Sequence, residues 1–424
     1  MARKRKRKLK LGNIFLFLAL ILLFGLVIVY GKDNILKSTK ASNDKNLLKD
    51  LVEKKETKEE DKTYEATVIT AGDNLIHSSV YKDANRLAGY SGYDFKPMYE
   101  LIKPIVSKYD IAYYNQESIL GGTELGLSDY PTFNSPQEAG DAMIDAGFNL
   151  VSLATNHTMD SRERAVLASR EYWNKQSGVL AVGSYSSKEE RNEVHIEKAN
   201  NITYTMLNYT YGTNGMPVPE GKDYLVNVWP TDIDGINNPD NDTKYQEYKK
   251  TVKEDIERVR SKVDVLMVAM HWGVEYTHEP TAYEKDMANF LAENGVDVII
   301  GTHPHVIQPV TWIDDTLVIY SLGNFISAQY QNQSTCTYYK CTTGLMTSFK
   351  ITKTVKGKKS EIKIDSISNE LVYTYYSGWA NFKVVPFSNA EIVNKLPGYK
   401  AVYETYKEVV QRYDKDMEVV PAYE

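Results

Sequence analysis

The chain has 424 residues, 42% apolar and 25% charged, enough for one large globular domain or two small ones with a substantial core. Two cysteines exclude a Cys-rich metal motif, so any metal must be held by His, carboxylate and amide groups. The net charge of −6 hides a +7 cluster in residues 1–10 (Arg3, Lys4, Arg5, Lys6, Arg7, Lys8 and Lys10); the remaining −13 would repel a phosphate backbone and excludes a nucleic-acid partner.

Residues 1–10 read as a cytoplasmic basic tip and 11–31 as a transmembrane helix. The apolar run from Leu11 to Tyr30 would rise about 30 Å as a helix, the thickness of a bilayer core. It is longer than the roughly 7–15 residues of a signal-peptide core and no A-x-A site follows, which favours an uncleaved single-pass anchor over a cleaved leader. The main domain then lies outside the cell. Residues 32–62 are rich in Lys, Glu, Asp, Asn, Ser and Thr; little of this can be buried, so it reads as a flexible polar stalk.

From residue 63 short β-rich apolar runs alternate with helical segments. Strands are expected at 66–71, 111–114, 149–153, 179–182, 203–207, 263–270, 296–300 and 316–320, with helices at 136–146, 161–176, 245–261 and 282–294. This alternation predicts a layered α/β domain. Four further strands are expected at 345–351, 361–367, 370–375 and 382–385, then helices near 388–396 and 400–413. The domain is read as 63–387, with 388–424 a C-terminal helical extension.

Polar clusters begin where apolar strands end, the place where open α/β sheets carry functional groups. The first strand runs into Gly72-Asp73 and His77, the second into Asn115-Gln116-Glu117, and the third into Asn156-His157-Thr158-Met159-Asp160. Two later strands run into His271-Trp272-Gly273-Val274-Glu275-Tyr276 and Gly301-Thr302-His303-Pro304-His305. In an extended segment the alternate His303 and His305 would point the same way. Of seven histidines only His195 and His278 fall elsewhere. Carboxylates, an amide and imidazoles gathered at one sheet edge suit one or two divalent ions of the Mn, Fe or Zn type. Two such ions about 3.5–4 Å apart can clamp both oxygens of a phosphoryl displacement. His157 is then the candidate general acid, oriented by Asp160.

These motifs, together with His305-x-x-Gln308 and Tyr320-Ser321-Leu322-Gly323-Asn324-Phe325, resemble the CapA family of poly-gamma-glutamate capsule proteins over about residues 66–330. The resemblance implies a four-layer calcineurin-like metallophosphoesterase sandwich, two β-sheets flanked by helices. It also implies a role in synthesis, transport or anchoring of an anionic envelope polymer, in contact with that polymer or its synthase complex. The metal ligands expected are Asp73, Asn156, His271, His303 and His305, with Glu117 a further one. The sequence departs from ordinary metallophosphoesterases in lacking D-x-H at Asp73 and in having Asn115-x-Glu117 for G-D-x-x-D. His77 is left open between ligand and structural residue.

Asn115, Glu275, Asn324 and Gln329 are expected to line the substrate pocket, while Trp272 and Tyr276 pack the strand end. Cys336 and Cys341 are disulfide candidates, given an oxidising compartment. Three functions are compatible with this reading: an envelope-polymer protein, a metal-dependent phosphoesterase on a cell-wall or lipid-linked phosphate, and a non-catalytic polymer-binding module.

Overall fold

Alternation along the strands decides the layers. In β1 (Lys62–Asn74), Ala66 and Val68 join one buried cluster, and Ile69 and Ala71 join another. In β2 (Ile111–Asn115), Ile111 and Tyr113 go with the first pair, Ala112 and Tyr114 with the second. Strands buried on both faces read as unbroken apolar runs, which is why they were legible. The computed structural model describes residues 61–229, 239–329 and 335–424. The expected basic tip, the membrane helix and all but the last two residues of the stalk lie outside the described residues. Among the described residues, no helix is long and apolar enough to cross a membrane.

The remaining strands are β3 (Leu150–Ser152), β4 (Leu180–Val182), β5 (Glu197–Ala199), β6 (Ile202–Thr210), β7 (Val265–His271), β8 (Val298–Thr302), β9 (Val310–Ile313), β10 (Thr316–Ile319), β11 (Asn324–Ile326), β12 (Thr343–Lys356), β13 (Lys359–Ser377) and β14 (Ala380–Pro386). One sheet runs β14-β13-β12-β1-β2-β3-β4, with β11 also paired to β1. The other runs β5-β6-β7-β8-β10-β9. The cluster between the sheets takes Val265, Met267 and Ala269 from β7, while Leu266, Val268 and Met270 face helices Thr243–Arg260 and Ala282–Glu293. Helices Ser78–Leu87, Glu138–Ala146 and Arg162–Asn174 cover the outer face of the first sheet. The order is helices, sheet, sheet, helices, a sandwich. The last helix, Tyr399–Val410, buries Tyr399, Val402, Tyr403 and Tyr406 in the central cluster.

Three details differ from expectation. The strands expected at 361–367 and 370–375 are one strand, β13, crossing a register shift opposite Ser348–Lys350, with Ser366 at φ 56°. The polar residues between the two expected strands do not break the chain's pairing, because Asn369 is buried and satisfied: it accepts from Thr347 Oγ1 at 2.7 Å and donates to Glu418 O at 2.9 Å. The helix expected at 388–396 is only Ile392–Lys395. Strands β5, β9 and β11, three or four residues each, were not expected.

Helix Ala282–Glu293 begins with a reciprocal cap. Thr281 Oγ1 accepts from the Glu284 backbone N–H, and Glu284 Oε2 accepts from the Thr281 N–H at 2.6 Å. Glu284 is fully buried, and burial pushes its carboxyl up to about 7. An acid whose folded value is raised contributes stability at low pH and loses it as pH climbs from the unfolded value toward the folded one. The loss is on the order of 3 kcal/mol at about 1.4 kcal/mol per pH unit. Glu284→Gln keeps an acceptor for the cap and cannot ionise. Chemical denaturation from pH 5 to 8 should therefore show a flatter stability profile in the variant. Identical profiles would rule out this role for Glu284.

Candidate metal centre

β1, β2, β3 and β4 run parallel in one sheet, and β6, β7 and β8 run parallel in the other. Their carboxyl ends therefore deliver Asp73, Asn115, His271 and Thr302 to sheet edges, with Glu117, Asn156, His157 and His303 in the loops just beyond. Glycine lets these loops close. A Cβ on Gly72 would lie 1.8 Å from Gly323 O, and one on Gly301 equally close to Tyr320 O. That approach seats Asn324 of β11 beside Asp73.

The ligand atoms fall into three overlapping groups: Glu117, His271 and His303; Asp73, Glu117 and His305; and Glu275, His303 and His305. Within each group the candidate atoms lie within 4.8 Å of one another. Asp73, Glu117, His271, His303 and His305 are all buried, and Glu275 stands 44% exposed at the mouth. Glu117 Oε1 lies 3.6 Å from His305 Nε2 and 3.7 Å from His271 Nε2, yet neither carboxylate oxygen has a hydrogen-bond partner. His303 Nδ1 is likewise unpartnered. An unsatisfied buried carboxylate is costly, and a divalent cation is a partner that would satisfy it. Asn156 Oδ1 lies 2.9 Å from His271 Nε2, so the amide joins the same cluster.

The titration directions match such a use. Burial, aided by neighbouring imidazoles, holds His271 and His303 well below the ordinary imidazole range, so they are neutral donors. Burial pushes Glu117 well above the usual carboxylate range, with His305 opposing. Burial alone would lower His305, but the Glu117 carboxylate and the Asp73 contact outweigh it and raise the imidazole to about 10.

His157 and Asp160 form a pair beside this cluster: His157 Nδ1 is 2.6 Å from Asp160 Oδ2, which also accepts from the Phe133 N–H at 2.6 Å. Phe133 packs edge-on against His157 with ring centres 4.7 Å apart. Asn115 sits behind the cluster, not at an open surface. It is fully buried, donates to Asp73 Oδ1 at 2.9 Å and accepts from Ser152 Oγ at 2.6 Å. Asn324 is buried too, 3.0 Å from His305 Nδ1. Gln329 Nε2 donates to Tyr276 OH at 3.2 Å. Cys336 and Cys341 form a disulfide with Cα atoms 5.3 Å apart.

His77 is absent from all three groups. Its Nδ1 accepts from the Ala328 N–H at 3.2 Å, and burial lowers its pKa to about 4. The extended geometry expected for His303-Pro304-His305 is a correction: both histidines are left-handed, at φ 97° and 57°. The loop turns rather than extends, and the rings still end 5.8 Å apart. Left-handed backbone at a bulky residue is strained and persists where the surroundings enforce it.

Sequence reasoning missed the residues that steady the cluster. Thr302 Oγ1 lies 3.0 Å from His271 Nδ1, and Tyr211 packs on His303 with ring centres 4.4 Å apart. Asn214 links the two halves: its Oδ1 accepts from Asn156 Nδ2 at 3.3 Å, and its Nδ2 is 3.3 Å from His157 Nδ1. Tyr211 and Asn214 follow β6, so the strand-end rule applied there would have found them.

Residues 67–329 match the family described as bacterial capsule synthesis protein PGA_cap. The chain is 26% identical over 193 residues to the PGA biosynthesis protein CapA of Bacillus subtilis (strain 168), covering 46% of each. It is 25% identical over 198 residues to the capsule biosynthesis protein CapA of Bacillus anthracis, covering 46% of this chain and 44% of that one. The matches thus span about half the length of these curated relatives. Among solved structures, GAP50, the anchor in the inner membrane complex of Plasmodium, aligns over 85% of this chain and 98% of its own. Its TM-score of 0.31 and identity of 9% carry no structural argument.

Proposed function

Since this chain belongs to the PGA_cap family of bacterial capsule synthesis proteins, we propose that it serves the synthesis, export or anchoring of poly-gamma-glutamate or a related anionic envelope polymer. The names of the two Bacillus relatives support that polymer class. In this reading the domain is held outside the cell by a single-pass anchor with a cytoplasmic N-terminus. The basic tip and the apolar run after it support the topology. The layered sandwich supports a calcineurin-like metallophosphoesterase fold.

The observation that carries the chemistry is the unpartnered, fully buried Glu117 carboxylate among three imidazoles and Asp73. We assign one or two divalent cations of the Mn, Fe or Zn type to it. Asp73, Glu117, Asn156, His271, His303 and His305 would hold them. Such ions supply Lewis acidity and lower the pKa of water. The chain's own part is to hold and deliver a proton: Asp160 fixes His157 Nδ1–H, leaving Nε2 to serve the leaving oxygen. That pair favours a second reading, a phosphoesterase acting on a cell-wall or lipid-linked phosphate, over a non-catalytic binding module.

Elemental analysis of the full chain purified in detergent should find one or two transition ions per chain. A chromogenic phosphodiester assay on the same sample tests the phosphoesterase reading. Protease added to spheroplasts should remove the domain and spare the tip. Absence of any bound ion after incubation with manganese would sink the metal assignment, and a protected domain would reverse the topology.

A further inference from the structure

Both ends of the Asn324 amide are committed. Nδ2 donates to Gln329 Oε1 and to the backbone carbonyl of Cys341, each at 2.7 Å, and Oδ1 lies 3.0 Å from His305 Nδ1. A backbone carbonyl only accepts, so the nitrogen of the amide must face Cys341 and the oxygen must face His305. His305 Nδ1 therefore carries a hydrogen. Its Nε2, turned toward Glu117 at 3.6 Å, is the nitrogen left to meet a cation.

Cys341 lies two residues before β12, where Thr342 O accepts from the Thr374 N–H at 2.8 Å, and the disulfide to Cys336 ties the other side of the loop to it. Both cysteines are fully buried and cluster with Val306, the neighbour of His305, with Tyr276 packed against them. Lys340 Nζ donates to Tyr276 O at 3.2 Å, so the same loop also ties down the segment that carries Glu275.

We propose that the loop closed by Cys336 and Cys341 orients His305 through Asn324, so that the affinity of the site for divalent metal depends on the disulfide. The inference rests on the metal reading above. Asn324 is a positioning residue here: it touches the ligand and not the ion. Reduction by a dithiol breaks the S–S bond. Each cysteine sulfur gains one electron and one proton, and the dithiol leaves as a disulfide. The Cys341 carbonyl then loses its cross-link to Cys336, the Asn324 amide is held less firmly, and its contact with His305 Nδ1 loosens.

Manganese(II) affinity is measured on the full chain in three forms: oxidised wild type, wild type reduced by a dithiol that is then removed anaerobically, and oxidised Asn324→Leu. Reduction and Asn324→Leu should each weaken binding about 10–100-fold, the range for loss of a partner behind a metal-bound histidine. Long-range proton–nitrogen spectra of the zinc-loaded oxidised proteins should place the His305 hydrogen on Nδ1 in wild type and lose that signature in the variant. Equal manganese affinity in wild-type oxidised and reduced forms would overturn the inference, even where Asn324→Leu does not fold. No uptake by the oxidised wild type overturns the metal reading itself, and this inference with it.

Discussion

His303→Ala should strip the site of metal. His303 belongs to two of the three ligand groups, its Nδ1 has no hydrogen-bond partner, and it is 2% exposed. Its removal deletes a donor without orphaning another polar group. Loss of a partner behind a ligand already costs about 10–100-fold in affinity, so loss of a ligand should cost at least about 100-fold. The far-UV circular dichroism should hardly change, because the side chain sits in a loop beyond β8 and contributes to no strand pairing. Binding should also strengthen as pH rises, since an ion must displace a proton from His305, whose imidazole the neighbouring carboxylates raise to about 10. His195→Ala is the control. That residue is 41% exposed in its side chain and 3.9 Å from Glu193, outside every group. Equal ion content in the two variants would remove the case for this site.

His157→Ala should behave in the opposite way, keeping the metal and losing turnover. The ring is held by Asp160 at 2.6 Å and by the edge of Phe133, and it is in no ligand group. A positioned proton donor is worth about 10²–10⁴-fold in rate, and that loss should appear in kcat. The readout is phosphodiester turnover where the wild type has it, and otherwise polymer yield in a deletion strain carrying the variant. Loss of metal in His157→Ala would make it a ligand. Unchanged turnover or yield would deny it any role as a donor.

How much of this was legible beforehand differs by element. β7 and β8 were readable because continuous apolar runs buried on both faces leave little choice of fold class. Each run ends at a histidine motif, so the histidines that the fold gathers could be named. The disulfide was anticipated from compartment and loop size, and Asn115 and Asn324 were picked out by motif. Their hydrogen-bond partners were not: Asn115 links Asp73 to Ser152, and Asn324 links His305 to the Cys341 carbonyl. Asn214 went unseen, although it bridges Asn156 and His157.

Sequence by itself determined the strand-helix layering, the family and the chemical types gathered at the sheet edges, because hydrophobic period and strand-end placement are local properties of the chain. Tertiary structure alone decided which atoms face which. The Glu117 carboxylate is stranded between His271 and His305, 154 and 188 positions further along the chain, and the Asn324 amide is aimed by a carbonyl 17 positions away. Those relations depend on how two sheets meet and on a left-handed turn at His303 and His305. Neither is encoded in a local pattern, since burial and hydrogen-bond satisfaction at such a site are settled only when distant segments compete for the same small volume.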